Sequence, residues 1–284
     1  MNMTKREDLQ GIRGLSIILV LLFHLFPAVF PNGFVGVDIF FVLSGYLMTM
    51  IYSHKIHDFT AFGQFYTKRL IRLLPMFSAL ICATVIYGKF ALILGDDERL
   101  LNHEAKWSLF AATNVRLLYE SDGYWTTLSD FSFLLHVWSL SVELQYYLMA
   151  PFLFWLQNNS FMGALAVNTV SLGSLAYTIV GNPKISFYLV FSRLWQFQVG
   201  AVSYQTTPRG YGSLWLSLVL FSFLIPHFPV STVITRLIAT FASGLLFSSA
   251  QNSNFLVENR FLTYFGDISY VLYLIHWPVI VFIR

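Results

Sequence analysis

Long apolar runs recur along the whole of this 284-residue chain, and they constrain its fold more than any other feature. A helix needs about 20 predominantly apolar residues to cross a bilayer. Nine runs suit such a span, at residues 12–30, 35–51, 70–94, 136–156, 161–180, 185–204, 213–228, 232–250 and 267–283. A tenth run, Trp107–Tyr119, is shorter and carries Arg116, which is typical of an interfacial or re-entrant segment.

Charged residues are scarce, at 11% of the chain, whereas a soluble domain carries about 25%. The net charge of +3 and the lack of a dense basic tract exclude a nucleic-acid-binding protein. The single cysteine, Cys82, excludes an intramolecular disulfide framework and a multi-cysteine metal site. No run alternates in polarity as the strands of a membrane barrel do. The predicted fold is therefore all-α: one domain over residues 1–284, a polytopic transmembrane helical bundle of about nine spans and one short segment.

Basic residues predict the orientation of this bundle, because cytoplasmic loops of membrane proteins are enriched in Lys and Arg. They flank the start of the first run and lie between the second and third: Lys5, Arg6, Arg13, Lys55, Lys68, Arg69 and Arg72. The segment 120–135 has three acidic residues and no Lys or Arg. We therefore expect a cytoplasmic N-terminus and an integral, multi-pass protein.

Arg13 and His24 are the first ionisable residues that a membrane span has to accommodate. They are eleven residues apart, so both project from one helix face and are separated by about 16 Å along the axis. With Arg13 at the membrane edge, His24 is expected near the bilayer middle, where ionisable groups are costly and usually functional. The structural alternative has Arg13 extending to the lipid headgroups and His24 bonding a neighbouring helix.

Asp38 stands near the start of the second predicted span, opposite the first. It is interpreted either as a partner that orients His24 or as a cap of its own helix. The small pair Ser44-Gly45 in the same span favours close helix packing over chemistry.

Arg69 and Arg72 lie at positions i and i+3, on one face of the third predicted span near its cytoplasmic end. They are either anchors to the interface and its anionic lipids or a clamp for a phosphorylated ligand. Taken by itself, the pair favours the anchor.

Two later segments carry further polar candidates. Ser139 and Glu143 share a helix face, and Glu143 is either an interhelical hydrogen-bonding residue or part of a polar site. His276 precedes Pro278, which leaves a backbone carbonyl of its helix without its usual donor. We expect His276 to satisfy that carbonyl or its neighbours.

Several motifs resemble the membrane acyltransferase-3 family, multipass proteins that O-acylate carbohydrates and other hydroxyl acceptors. Arg13 and His24 match its Arg-x10-His motif, and the opening residues 6–15 resemble the start of the family. Further matches are the Phe-Phe-Val-Leu-Ser-Gly span within Gly33–Gly45, the Arg-x-x-Arg motif of 69–75, the His-Val-Trp-Ser-Leu-Ser-Val-Glu run of 136–143, and 269–278. The resemblance implies that the chain lacks the last helix or helices of longer members and their extracytoplasmic hydrolase-like domain.

The resemblance implies an acyl-CoA donor on the cytoplasmic side, a carbohydrate or other hydroxyl acceptor, and a bilayer setting. Neither a metal nor a permanently bound cofactor is expected. His24 then acts as general base or acyl relay. Asp38 or Glu143 is expected to orient His24. The residues expected to bind the donor are Arg13, Arg69 and Arg72. Ser139 and His276 are secondary candidates for the site.

Two other function classes stay open at this point. In a proton-coupled transporter, His24, Asp38, Glu143 and Arg193 would form a relay. That class calls for paired broken helices in two halves, and the sequence shows no internal repeat. A non-catalytic membrane assembly subunit is the third class.

Overall fold

The computed structural model of this chain consists of helices, and no strand occurs in the residues that it describes. Those residues are 6–56, 59–91, 96–120, 132–206, 215–216, 218–220, 231–249 and 258–283. The helices are α1 (Glu7–Leu25), α2 (Val35–Tyr52), α3 (Phe59–Ala91), α4 (Asp96–Leu109), α5 (Thr113–Glu120), α6 (Val137–Asn159), α7 (Phe161–Val180), α8 (Pro183–Tyr188), α9 (Leu194–Gln205), α10 (Thr232–Ser249) and α11 (Arg260–Ile283). A short 3-10 helix, Val190–Arg193, lies between α8 and α9.

Within the described part of the chain, six helices are long and apolar enough to cross a membrane: α1, α2, α3, α7, α10 and α11. The prediction of an all-α membrane protein is confirmed, whereas the number of nine spans is not. The predicted run 213–228 falls mostly outside the described residues. The short segment Trp107–Tyr119 is divided between the end of α4 and the eight-residue α5, and neither is among the six.

The first predicted span differs from the structure at its end. Helix α1 ends at Leu25 and not at Phe30, because Pro27 follows and the residue before a proline is disfavoured in helical conformation. Phe26 accordingly has non-helical backbone angles, with φ at −134° and ψ at 60°. His24 therefore lies in the last turn of α1. Its expected position near the bilayer middle stays a prediction.

Two further boundaries are also different. Helix α3 begins at Phe59, eleven residues before the predicted Leu70, because an apolar run identifies the lipid-facing length of a helix and not its polar first turns. The predicted span 185–204 is broken at Leu189, whose ψ of 130° is extended. The Ser192 hydroxyl donates to the Leu189 carbonyl at 2.7 Å beside this break.

The chain forms two compact units. The first comprises Met1–Ile51 and Gln196–Tyr273, and the second comprises Tyr52–Trp195 and Leu274–Arg284. Helices α2, α9 and α11 contribute residues to both.

In the first unit, glycines let α1 and α11 touch backbone to backbone. A Cβ atom built at Gly14 would lie 1.9 Å from the Leu262 carbonyl oxygen, and one at Gly266 would lie 1.9 Å from that of Gln10. Any larger residue at these positions would push the helices apart, since small residues are what permits such close approach.

Helices α2 and α9 meet in the same way. A Cβ atom at Gly45 would lie 1.9 Å from the Phe197 carbonyl oxygen, and one at Gly200 would lie 1.9 Å from that of Val42. The packing interpretation of Ser44-Gly45 is thereby confirmed for Gly45.

The second unit is held by buried amides around α6. Asn114 and Gln145 exchange two hydrogen bonds, of 3.1 and 2.9 Å, which join α5 to α6. Their remaining donors reach the Tyr188 carbonyl at 3.0 Å and the Ala111 carbonyl at 2.9 Å. A fully used amide pair of this kind specifies one arrangement of its helices, because an unmet buried donor is costly.

Candidate active site

Helix α1 carries Arg13 and His24 on one continuous stretch, as their spacing predicts. His24 is 7% exposed, and its ring lies 4.9 Å from that of Phe23. The half-buried Arg13 guanidinium donates to the Ser269 hydroxyl of α11 at 3.0 Å and to Gln10 at 3.3 Å. Arg13 is therefore held inside the first unit by hydrogen bonds.

Asp38 lies in the first turn of α2 and is 2% exposed. Its Oδ1 atom accepts a hydrogen bond of 2.7 Å from Gln196 and lies 3.6 Å from Nε of Arg236. The same Gln196 amide donates to Thr240 at 3.2 Å. Neither expectation for Asp38 included these partners, which α9 and α10 supply.

Arg69 is buried in the second unit, at 8% exposure, among aromatic rings. Its guanidinium carbon lies 5.3 Å from the ring centre of Tyr52 and 5.9 Å from that of Tyr147. Its Nε atom has no hydrogen-bond partner among the described residues, and no ion pair between described residues includes Arg69. Arg72, one turn later, is exposed, so the two arginines have different surroundings.

Glu143 and Tyr147 form a hydrogen-bonded pair within α6. The Tyr147 hydroxyl donates to the Glu143 carboxylate one turn earlier, and the ring of the same tyrosine faces Arg69. Ser139 is buried, and its hydroxyl is 3.5 Å from the His136 carbonyl oxygen. Tyr147 was missed by sequence reasoning, although its i, i+4 spacing from Glu143 could have indicated the pair.

His276 is buried, and its ring centre lies 5.4 Å from that of His136. Pro278 cannot donate to the Leu274 carbonyl, and His136 Nε2 lies 3.0 Å from that oxygen. The Leu274 carbonyl, which we expected His276 to satisfy, is thus bonded by His136 of another segment. Because a carbonyl only accepts, this bond places a proton on His136 Nε2.

A buried carboxylate outside the candidate spans, Glu104, supports the segment before α6. It is fully buried and accepts hydrogen bonds from Arg116 at 3.1 Å, Ser132 at 2.7 Å and the Leu134 amide at 3.0 Å. Burial raises the pKa of Glu104, while Arg116 and these donors act in the opposite direction. The Ser132 carbonyl in turn accepts from the Trp277 indole at 2.7 Å.

The predicted site residues are divided between the two units. The first holds Arg13, His24 and Asp38, and the second holds Arg69, Arg72, Ser139, Glu143 and His276. Arg193, a member of the predicted proton relay, lies in the second unit, where its Nε donates to the Phe187 carbonyl at 2.8 Å. Among the described residues, no three His, Cys, Asp or Glu side chains are grouped as metal ligands.

Several curated proteins are similar to this chain. A protein of Komagataeibacter xylinus named as a membrane-bound transacylase, BcsY, is 29% identical over 98% of this chain and 73% of its own length. The peptidoglycan O-acetyltransferase OatA of Listeria monocytogenes is 31% identical over 62% of this chain. A protein of Staphylococcus aureus named as an O-acetyltransferase, SACOL0978, is 26% identical over 97% of it.

The alignments reach only part of the longer relatives, 29% of the Listeria protein and 51% of the Staphylococcus protein. No solved structure matches the chain. The acyltransferase-3 family model, described as an acyltransferase domain, matches residues 6–284 and so includes both units. The chain therefore belongs to the acyltransferase-3 family, as an integral-membrane acyltransferase.

Proposed function

We propose that this protein transfers an acyl group, expected to be acetyl, from cytoplasmic acyl-CoA to a hydroxyl of a carbohydrate or lipid-linked acceptor. The observation that carries the proposal is Arg69, a buried cation without a carboxylate partner among the described residues. A guanidinium in such a position suits the phosphate groups of a nucleotide donor. The O-acetyltransferase names of the relatives support the reaction class.

His24 is the proposed general base. It takes the proton of the acceptor hydroxyl while the hydroxyl oxygen bonds to the thioester carbon. The carbon–sulfur bond then breaks, and the proton passes to the departing thiolate of CoA. In the relay alternative, a His24 nitrogen bonds to the acyl carbon, the carbon–sulfur bond breaks, and the imidazole proton passes to the departing thiolate of CoA. The acceptor hydroxyl oxygen then bonds to the acyl carbon, the carbon–nitrogen bond breaks, and the hydroxyl proton returns to the imidazole.

Asp38 belongs to the same unit as His24 and is the proposed orienting carboxylate. An anionic partner keeps an imidazole in one orientation and stabilises the imidazolium that forms. Arg13, Arg69 and Arg72 are the proposed donor-binding cations, and Ser139 and His276 remain secondary candidates. The N-terminus is proposed to be cytoplasmic, from the Lys and Arg bias of the sequence.

The proposal is tested with the full chain in membranes, supplied with radiolabelled acetyl-CoA and a polysaccharide acceptor. We expect His24→Ala to abolish label transfer while the protein stays folded and inserted, because the base or relay is lost. His103→Ala, which changes a half-exposed histidine outside the candidate site, is the matched control. Full activity of His24→Ala would refute the assignment.

The same labelling experiment addresses the alternatives. Label retained on the wild-type protein without acceptor, and lost in His24→Ala, favours the relay; its absence favours direct transfer. Substrate movement across the membrane without label transfer would favour a transporter.

A further inference from the structure

Tyr147 connects two residues for which the sequence predicted separate roles. Its ring centre lies 5.9 Å from the Arg69 guanidinium carbon, and its hydroxyl donates to the Glu143 carboxylate. Arg69, Tyr147 and Glu143 all belong to the second unit, whereas His24 belongs to the first.

The surroundings of Arg69 attract its charge without neutralising it. An aromatic face stabilises a cation through the ring quadrupole, but it occupies none of the guanidinium N–H donors. Tyr52 supplies a second ring at 5.3 Å, and that ring is itself packed edge-on against Phe65 at 4.7 Å. Among the described residues, Nε of Arg69 has no hydrogen-bond partner, so this donor is held in place and available to an incoming anion.

We infer that Glu143 and Tyr147 are positioning residues for the binding of a phosphate-bearing donor at Arg69. Glu143 holds the phenol of Tyr147, and the Tyr147 ring holds the guanidinium. The inference rests on the proposed function, because it requires Arg69 to bind donor phosphates. It gives Glu143 a role different from orienting His24.

The two roles of Glu143 predict different kinetic changes. A residue that orients the base acts on the chemical step, so its loss lowers kcat and leaves donor affinity unchanged. A residue that positions Arg69 acts on donor binding, so its loss weakens CoA binding and raises the KM for acetyl-CoA. Equilibrium binding of CoA, which carries the phosphates but no acyl group, separates them.

The experiment measures CoA binding to the full chain purified in detergent. Tyr147→Leu removes the ring, and we expect about twofold to thirtyfold weaker binding. Tyr147→Phe and Glu143→Leu each break the hydrogen bond, and we expect about twofold to tenfold weaker binding for either. The double variant Tyr147→Phe/Glu143→Leu should bind no more weakly than the worse single variant, because both changes remove one interaction.

Three variants guard against a merely structural effect. Glu143→Gln keeps an acceptor for the phenol, so it should bind CoA more tightly than Glu143→Leu. Tyr146→Phe changes the neighbouring buried phenol of α6, and Lys68→Met removes the exposed cation beside Arg69. We expect both controls to bind CoA as the wild type does. CoA affinities are compared only among variants whose thermal stability in detergent equals that of the wild type.

The outcomes separate the inference from the proposed function. If the wild type does not bind CoA, the donor site fails and the inference fails with it. If Arg69→Met loses binding while the Tyr147 and Glu143 variants bind normally, the donor site stands and the inference is overturned. If Tyr147→Leu does not fold, CoA binding by Tyr147→Phe and by the double variant still tests the inference.

Discussion

The buried carboxylate of Asp38 in the first unit lies beside the guanidinium of Arg236, whereas the buried guanidinium of Arg69 in the second unit lies beside two tyrosine rings. Both sites are closed to solvent, with 2% and 3% exposure for Asp38 and Arg236 and 8% for Arg69. They differ in what compensates the charge.

This difference in charge compensation indicates different roles for the two residues, one in positioning a neighbouring group and the other in binding a ligand. Asp38 has its counter-charge and a hydrogen bond from Gln196 inside the fold, so its position is fixed without a ligand. Arg69 has only neutral partners among the described residues, and an anion that reaches it gains the full interaction with its N–H donors. The first arrangement suits an orienting group, and the second suits a ligand site.

The largest expected effect is on stability in the first unit. Arg236→Met leaves the Asp38 carboxylate buried without its cation, which is expected to cost about 3–5 kcal/mol. Arg69→Met removes a cation that has no internal carboxylate partner among the described residues but lies against two rings, so we expect a smaller cost of about 2 kcal/mol. The measurement is chemical or thermal unfolding in detergent, and equal losses in the two variants would break the comparison.

A neutral double variant sharpens this test. Asp38→Asn/Arg236→Met removes both charges, and replacing a buried ion pair by neutral groups is often close to neutral in stability. We expect it to recover most of the stability that Arg236→Met loses but not the acyltransferase activity, since the carboxylate proposed to orient His24 is gone. Recovery of activity together with stability would reduce Asp38 to a structural role.

A second prediction concerns the ion pair of the second unit, Glu104–Arg116. Burial raises the folded-state pKa of Glu104, so the folded protein binds this proton more readily than the unfolded chain does. The contribution of Glu104 to the free energy of unfolding is therefore greatest at low pH and is lost as the pH rises through the raised pKa. The slope is at most about 1.4 kcal/mol per pH unit.

Unfolding of the wild type and of Glu104→Gln across about pH 4 to pH 8 measures this slope. Above the raised pKa, where Glu104 is ionised, Glu104→Gln is also expected to be less stable, because Arg116 loses its buried counter-charge. Identical pH dependence in the two proteins would contradict the assignment of the titration to Glu104.

The smallest effect is expected at the surface of the same region. Glu120 is 41% exposed and lies 2.8 Å from His103 and 3.5 Å from Arg116. Exposed pairs of this kind contribute about 0–1 kcal/mol, so Glu120→Gln should lower the free energy of unfolding by less than about 1 kcal/mol. A loss as large as that of Glu104→Gln would mean that burial is not what distinguishes the two carboxylates.

The sequence predicted the position of several single helices, although not every helix end. The apolar runs at 35–51 and 161–180 closely match α2 and α7, because the bilayer sets the length of an apolar helix. Arg13 and His24 lie on one helix, as the apolar run that contains both predicts. They share a face of that helix because an eleven-residue spacing is close to three turns. Pro27 also indicates the end of α1 at Leu25, but the apolar run continues to Phe30 and so predicts a longer helix.

Partners on other helices could not be predicted. Periodicity shows which face of a helix is polar, but not which helix that face meets. His136 and the Leu274 carbonyl are 138 positions apart, and Gln196 and Asp38 are 158 apart. Arg236 lies within the apolar run 232–250, and nothing in that run indicates Asp38 as its partner.

Composition and spacing by themselves determined that this is an all-helical membrane protein and that Arg13 and His24 share a helix, because both properties follow from local geometry and from the cost of polar groups in lipid. Only the tertiary structure decided that Asp38 lies beside Arg236 and that Arg69 lies against the rings of Tyr52 and Tyr147. Those assignments depend on helix packing, which glycines such as Gly45 and Gly200 allow at backbone contact and which no single-helix pattern specifies.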